Sequence, residues 1–245
     1  MRRAATAVAG FLKEMRAYAR PGMTTLELNL FARKCFKWGG ARSASILTYG
    51  FPGWPCISVN KEIAHRVRSD KRALQIDDLV NIDLSAELDG YWADKGGSFV
   101  LGKRENVKVA ERKRSVKTSR RIQRQAISRI RGGLRIAELG RLIECEAWKS
   151  GYRVIRNRAG NGVGRSLHEE PNDVDNFYDR YNTERFKKHA VVAVEPFIAT
   201  RSTLACTLDD GRTLVGNRGG LVAQHKHTIV VTDQEPIILA AGNRI

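Results

Sequence analysis

Apolar residues recur at helical spacing over residues 4–19, where Val8, Leu12, Met15 and Ala19 share one face. Pro21-Gly22 ends that pattern. Thr24-Thr25-Leu26-Glu27 opens a second helix as a capping box, with Thr24 as the cap and Glu27 three residues on. It runs to about Trp38 and stops at Gly39-Gly40. The period then shortens. Residues 45–49 predict a strand, Gly50-Phe51-Pro52-Gly53 a turn, and Cys56-Ile57-Ser58-Val59 a strand followed by a loop holding His65. A strand over 79–84 is joined through Asp89-Gly90, a two-residue hairpin signal, to one over 91–101. A long helix is expected over 106–131, with Val116, Ile122, Ala126, Ile127 and Ile130 inward and Gly132-Gly133 at its end. Another covers 136–149. Strands follow around 153–156, 190–199, 226–232 and 236–240.

The pattern repeats. Gly22-Met23-Thr24-Thr25-Leu26-Glu27-Leu28 echoes Gly133-Leu134-Arg135-Ile136-Ala137-Glu138-Leu139 at an offset of 111 residues, and Gly40 echoes Gly151 at the same offset. Each copy is a helix after a turn, then strands. The chain therefore reads as two halves of one unit, an α+β domain with a pseudo-two-fold, spanning residues 1–245 as a single domain.

Composition adds two constraints. The net charge of +17 favours polyanionic partners. Lys113, Lys117, Arg120, Arg121 and Arg124 form a basic stripe on the helix over 106–131, a candidate surface for RNA or a ribosome. The four cysteines are widely spaced with no CxxC pair, which suits reduced thiols in a cytoplasmic setting. No apolar run approaches the roughly eighteen residues of a membrane helix. No heptad pattern argues for an oligomer, so a monomer without membrane contact is expected.

Several acids sit where acids are costly. Asp83 lies within Val80-Asn81-Ile82-Asp83-Leu84, and Asp94 lies across the expected hairpin from it. Glu195 ends the apolar run Val191-Val192-Ala193-Val194. Buried carboxylates need a metal or another cation. His168 follows a glycine-rich loop. Two aspartates, a histidine and a glutamate make a mixed nitrogen and oxygen set suited to Mn, Fe, Co or Zn. Lys226, in Gln224-His225-Lys226-His227-Thr228, stands where a further acid would fit.

These segments together resemble the type I methionine aminopeptidases of the pita-bread metallopeptidases. The resemblance is carried by Cys56-Ile57-Ser58-Val59-Asn60 with His65, Val80-Asn81-Ile82-Asp83, Asp94, Leu167-His168-Glu169-Glu170-Pro171, Val194-Glu195-Pro196, and Ala223-Gln224 with His227-Thr228-Ile229-Val230-Val231. It covers about residues 4–240. It implies two αβ halves around a curved antiparallel sheet with helices outside. It implies excision of the initiator methionine from nascent polypeptides by one or two divalent metals held by Asp83, Asp94, His168 and Glu195. His65 matches a histidine that contacts the substrate, and Phe51 and Cys56 match positions lining the methionine pocket.

The departures fall on the chemistry. The family's bridging glutamate is Lys226, and its second active-site histidine is Asp175. A pocket-rim tryptophan is Arg212. An ammonium has no lone pair to give a metal. Two readings follow. One is a metal-dependent methionyl aminopeptidase with activity impaired by Lys226. The other is a catalytically inactive, metal-free member in which Lys226 pairs with the acids and the basic helix binds RNA or a ribosome. A lesser third is a metal-free hydrolase using His65.

Overall fold

The computed structural model describes residues 1–102 and 104–240. Among these residues the helices α1 (Arg2–Tyr18), α2 (Thr25–Trp38), α3 (Ala44–Tyr49), α4 (Val107–Ile127) and α5 (Ile136–Lys149) flank a large antiparallel sheet. Along its main path the sheet runs Arg42–Ser43, Leu79–Leu88, Tyr91–Val100, Val222–Val230, Val191–Val194, Gly160–Gly162 and Glu169–Val174. This is the expected α+β architecture with helices outside the sheet.

The two halves are legible in the backbone. α2 and α5 each have fourteen residues and start and stop at the same offset of 111. Gly22 and Gly133 both take positive φ, at 87° and 83°, as do Gly40 and Gly151 at 63° and 80°. A side chain at any of these turns would be strained. Thr24 bridges Ala73, and Arg135, its counterpart, bridges Arg185. The Thr24 capping box forms as expected, whereas Arg135 offers no side-chain cap. Each half has its own core. α1 and α2 bury Val8, Leu12, Met15, Leu28 and Phe36 against Ile82, Leu84 and Ala93, while α4 and α5 bury Ile122, Ala126, Ile136 and Ile143 against Val192, Val194 and Ile229.

The seam between the halves is the strand Val222–Val230. On one side His225, Lys226 and His227 pair with Gly97, Gly96 and Lys95, and on the other His227 to Val230 pair with Val194 to Val191. Alternate side chains of a strand point to opposite faces. Thus Asp83, Asp94 and Lys226 project to the face away from α1 and α4, and Lys95, His225 and His227 project towards the helices.

Three expectations are corrected. Residues 45–49 are helical: Ser43 caps α3 through its hydroxyl, and Gly50 closes it in the left-handed region at φ 57°. A good cap at both ends outweighs the strand preference of Ile46, Thr48 and Tyr49. The strand expected over 190–199 divides at Glu195-Pro196 into Val191–Val194 and Phe197–Ala199. On α4, Ile122, Ala126 and Ile127 are buried, yet Val116 is only half-buried and Ser115, Ser119 and Gln123 turn inward. They meet polar partners: Ser119 Oγ lies 3.1 Å from His225 Nδ1, and Gln123 Nε2 donates to the Val194 carbonyl at 3.4 Å. Of the basic stripe, Lys113, Lys117, Arg121 and Arg124 are exposed, while Arg120 is half-buried. Among the described residues no helix is long and apolar enough to cross a membrane.

Candidate functional site

A cavity of about 570 Å³ opens on the concave face of the sheet. Its floor holds Asp83, Asp94, Glu195 and Lys226. The hairpin registers Asp83 opposite Gly96 and Asp94 opposite Ser85, so the two aspartates come from adjacent strands on one face. Gly96 leaves room there for the Gln224 amide: a Cβ would lie 2.5 Å from its side-chain oxygen, and the amide would have to shift. Gln224 in turn donates to Glu195 Oε2 at 2.9 Å, and Ser85 donates to Asp94 Oδ1 at 2.7 Å.

Lys226 Nζ sits among the three acids. It lies 3.0 Å from Asp83 Oδ1, 2.9 Å from Asp94 Oδ2 and 3.1 Å from Glu195 Oε2. The lysine is 5% exposed. Burial works against its charge, but the Asp83, Asp94 and Glu195 carboxylates outweigh burial and hold the ammonium well above its ordinary pKa. One ammonium cannot balance three buried carboxylates. Burial, the other acids opposing Lys226, pushes Glu195 up to about 8 and Asp83 up to about 6.

The remaining expected residues line the same cavity with one exception. His65 stands at its mouth, with φ 57°, and its imidazole is pushed down to about 4 by burial and by the charges of Arg158, Lys226 and Arg212. Phe51 and Cys56 are buried in the wall beside Phe197 and Leu214, and burial pushes the Cys56 thiol up. His168 lines the cavity, but its Nε2 is hydrogen-bonded to the Tyr49 hydroxyl. Asp175 is the exception. It is buried, accepts from Asn182 Nδ2 at 2.7 Å, and is not among the residues lining the cavity.

Tyr49 and Arg158 are among the lining residues that escaped sequence reasoning. Tyr49 was hidden by reading its segment as a strand, and Arg158 lies just ahead of the Gly160-Asn161-Gly162 stretch. An aromatic before Gly50-Phe51-Pro52-Gly53 and an arginine beside a glycine loop were the available signals.

Residues 1–233 match the sequence profile of metallopeptidase family M24. The chain is 41% identical over 228 residues to methionine aminopeptidase 2 of Bacillus subtilis, covering 93% of this chain and 90% of that relative. It is 38% identical over 224 residues to a methionine aminopeptidase of Staphylococcus epidermidis, covering 91% and 88%. The crystal structure of methionine aminopeptidase from Thermotoga maritima superposes with a TM-score of 0.91 at 28% identity, covering 98% of this chain and 94% of that one. Prolidase from Pyrococcus furiosus shares the fold, with a TM-score of 0.78 at 19% identity over 99% of this chain and 63% of that one. The fold is the pita-bread fold of these enzymes.

Such a family implies divalent metal. The residues present do not fit one. The space between Asp83, Asp94 and Glu195 holds the Lys226 ammonium, which takes the place a metal ion would fill between the three carboxyls and has no lone pair to offer one. Nε2 of His168 is hydrogen-bonded to the Tyr49 hydroxyl. Among the described residues no group of three or more His, Cys, Asp or Glu is arranged to hold a metal ion. By sequence and by fold the chain belongs to metallopeptidase family M24, alongside methionine aminopeptidases, and it carries Lys226 at the centre of its acid cluster.

Proposed function

We propose that this protein is a methionine-aminopeptidase-like receiver of polypeptide N-termini in which removal of the initiator methionine is impaired by Lys226. The observation that carries the reading is the Lys226 amine within 3.1 Å of all three carboxylates. The cavity keeps what binding needs. Phe51, Cys56, Phe197 and Leu214 offer an apolar wall for a methionyl side chain, and the acid cluster offers negative charge to an α-ammonium. It lacks what hydrolysis in its relatives' family calls for, because the acids are committed to an ammonium. His65 remains at the mouth to touch the substrate. The partners are the N-termini of nascent chains in the cytoplasm.

The test is metal content and turnover of a methionyl peptide, with and without added Co or Mn, for the wild type and Lys226→Glu. The wild type is expected to hold little metal after dialysis and to turn over about 100-fold or more slower than metal-loaded Lys226→Glu. Stoichiometric metal and brisk turnover in the wild type would overturn the reading.

A second role is favoured by α4, where Lys113, Lys117, Arg121 and Arg124 are exposed on one helix. Lys113 pairs with Glu105 and Arg121 with Glu146, which leaves Lys117 and Arg124 outside any ion pair with a described residue. This surface would take RNA or a ribosome alongside the cavity's own ligand, and such binding would weaken steeply with salt.

A further inference from the structure

The two ends of the cavity differ in charge. The floor is acidic, with Asp83, Asp94 and Glu195 sharing the single cation of Lys226. Arg158 and Arg212 line the same cavity, Arg212 exposed and Arg158 half-buried, so its outer part is basic. Both guanidiniums act on His65, which places them around the passage that a ligand must take.

Neither arginine pairs with an acid among the described residues. Arg158 donates through Nε to the Asn157 carbonyl, and no carboxylate of the described residues pairs with its guanidinium. Arg212 stands on the turn after Asp210. That aspartate accepts the backbone N–H of Arg212 at 3.0 Å and of Thr213 at 2.7 Å, and it also receives the Thr213 hydroxyl and the Arg66 guanidinium, the last at 3.5 Å. Asp210 is therefore engaged in holding the turn, Asp209 forms no ion pair with Arg212, and the Arg212 side chain is exposed while lining the cavity. Arginine at such a place is suited to a planar carboxylate.

A ligand seated with its α-ammonium at the floor and its first side chain on the Phe51 and Cys56 wall runs outward past His65. Its next group arrives about 4–8 Å further on, the reach of one residue of chain. A cationic group there would meet two guanidiniums, and an anionic one would be matched. We infer that Arg158 and Arg212 select ligands bearing a carboxylate one residue out from an N-terminal apolar residue. A peptide beginning Met-Asp or Met-Glu presents that carboxylate on its second side chain, and free methionine or a dipeptide presents it at its C-terminal end. This rests on the reading of the cavity as a receiver of N-termini.

Titration calorimetry on the full chain in EDTA, at low salt, tests it with Met-Ala-Ala-amide, Met-Glu-Ala-amide and Met-Lys-Ala-amide. Met-Glu-Ala-amide is expected to bind about tenfold tighter than Met-Lys-Ala-amide, with the ratio falling towards one in Arg158→Gln/Arg212→Gln and on raising the salt. The wild-type series and its salt dependence decide the matter even if the double variant folds poorly. Free methionine against methioninamide, run beside the peptides, tells which source of the carboxylate binds tighter, and a carboxylate preference from either source sustains the inference. Equal binding of the Glu and Lys peptides, with no preference for free methionine over its amide, overturns the inference and leaves the receiver reading standing. Failure of every ligand, Met-Ala-Ala-amide included, overturns both.

Discussion

Lys226 and Lys95 sit on neighbouring strands of one sheet, with Lys95 opposite His227 in the ladder. Both are buried, at 5% and 1% exposed. Their side chains leave the sheet on opposite faces and meet opposite company. Lys226 finds three carboxylates, and these outweigh burial to hold its ammonium well above the ordinary value. Lys95 contacts the ring of His227 at 2.7 Å, and burial with the charges of Arg120 and Arg124 pushes it down to about 7. The difference shows that burial by itself does not decide the charge of a lysine here. The charges of the described residues that face it matter as well, carboxylates for Lys226 and guanidiniums for Lys95, and these are set by which face of the strand it occupies.

The largest expected effect breaks the comparison on the acid side. Lys226→Met removes the cation that faces three acids and should lower stability by about 4 kcal/mol near pH 7.5, read from urea unfolding. The loss should shrink by pH 5, where the acids protonate. A variant as stable as the wild type at pH 7.5 would mean that the ammonium does not compensate the cluster.

A somewhat smaller effect is expected on the helix-facing side. The folded-state pKa of Lys95 lies below its unfolded value, so its contribution is fully present above about pH 10.5 and is lost as pH falls through about 7. Lys95→Met should therefore gain on the wild type by about 3 kcal/mol as the pH is lowered from about 9.5 to 7. Parallel stability curves for the two proteins would remove the contrast between the lysines.

The smallest effect sharpens the picture of the cavity itself. Tyr49 is 51% exposed and its hydroxyl meets His168 near the surface. Tyr49→Phe should cost less than about 1 kcal/mol in the same unfolding measurement. A cost matching that of Lys226→Met would move the stabilising centre from the floor of the cavity to its mouth.

Much of the fold could be read in the chain because its signals are local. The Thr24 and Glu27 capping box, the Asp89-Gly90 turn and the helical periodicities each specify their own segment. The echo between Gly22 and Gly133 reappears as matching positive φ and matching helix lengths. The acids Asp83, Asp94 and Glu195 were legible because a carboxylate inside an apolar strand is expensive and so must be paired. The segment around Tyr49 was misread because Ile46, Thr48 and Tyr49 favour strands, while the decisive groups, the Ser43 cap and the left-handed Gly50, lie just outside it. Asp175 could not be placed from sequence, since whether a residue at the end of a strand reaches a cavity depends on how the chain turns after it.

The sequence by itself determined the order of the elements, the internal repeat, the family, and a lysine among expected acids. Only the tertiary structure decided that the Lys226 amine reaches all three carboxylates and that Tyr49, 119 residues away in sequence, takes the His168 nitrogen. It also gathered Arg158 and Arg212 around one cavity. The reason is that element identity follows from near neighbours, whereas side-chain meetings across a sheet follow from register and face, which are fixed when distant strands pair.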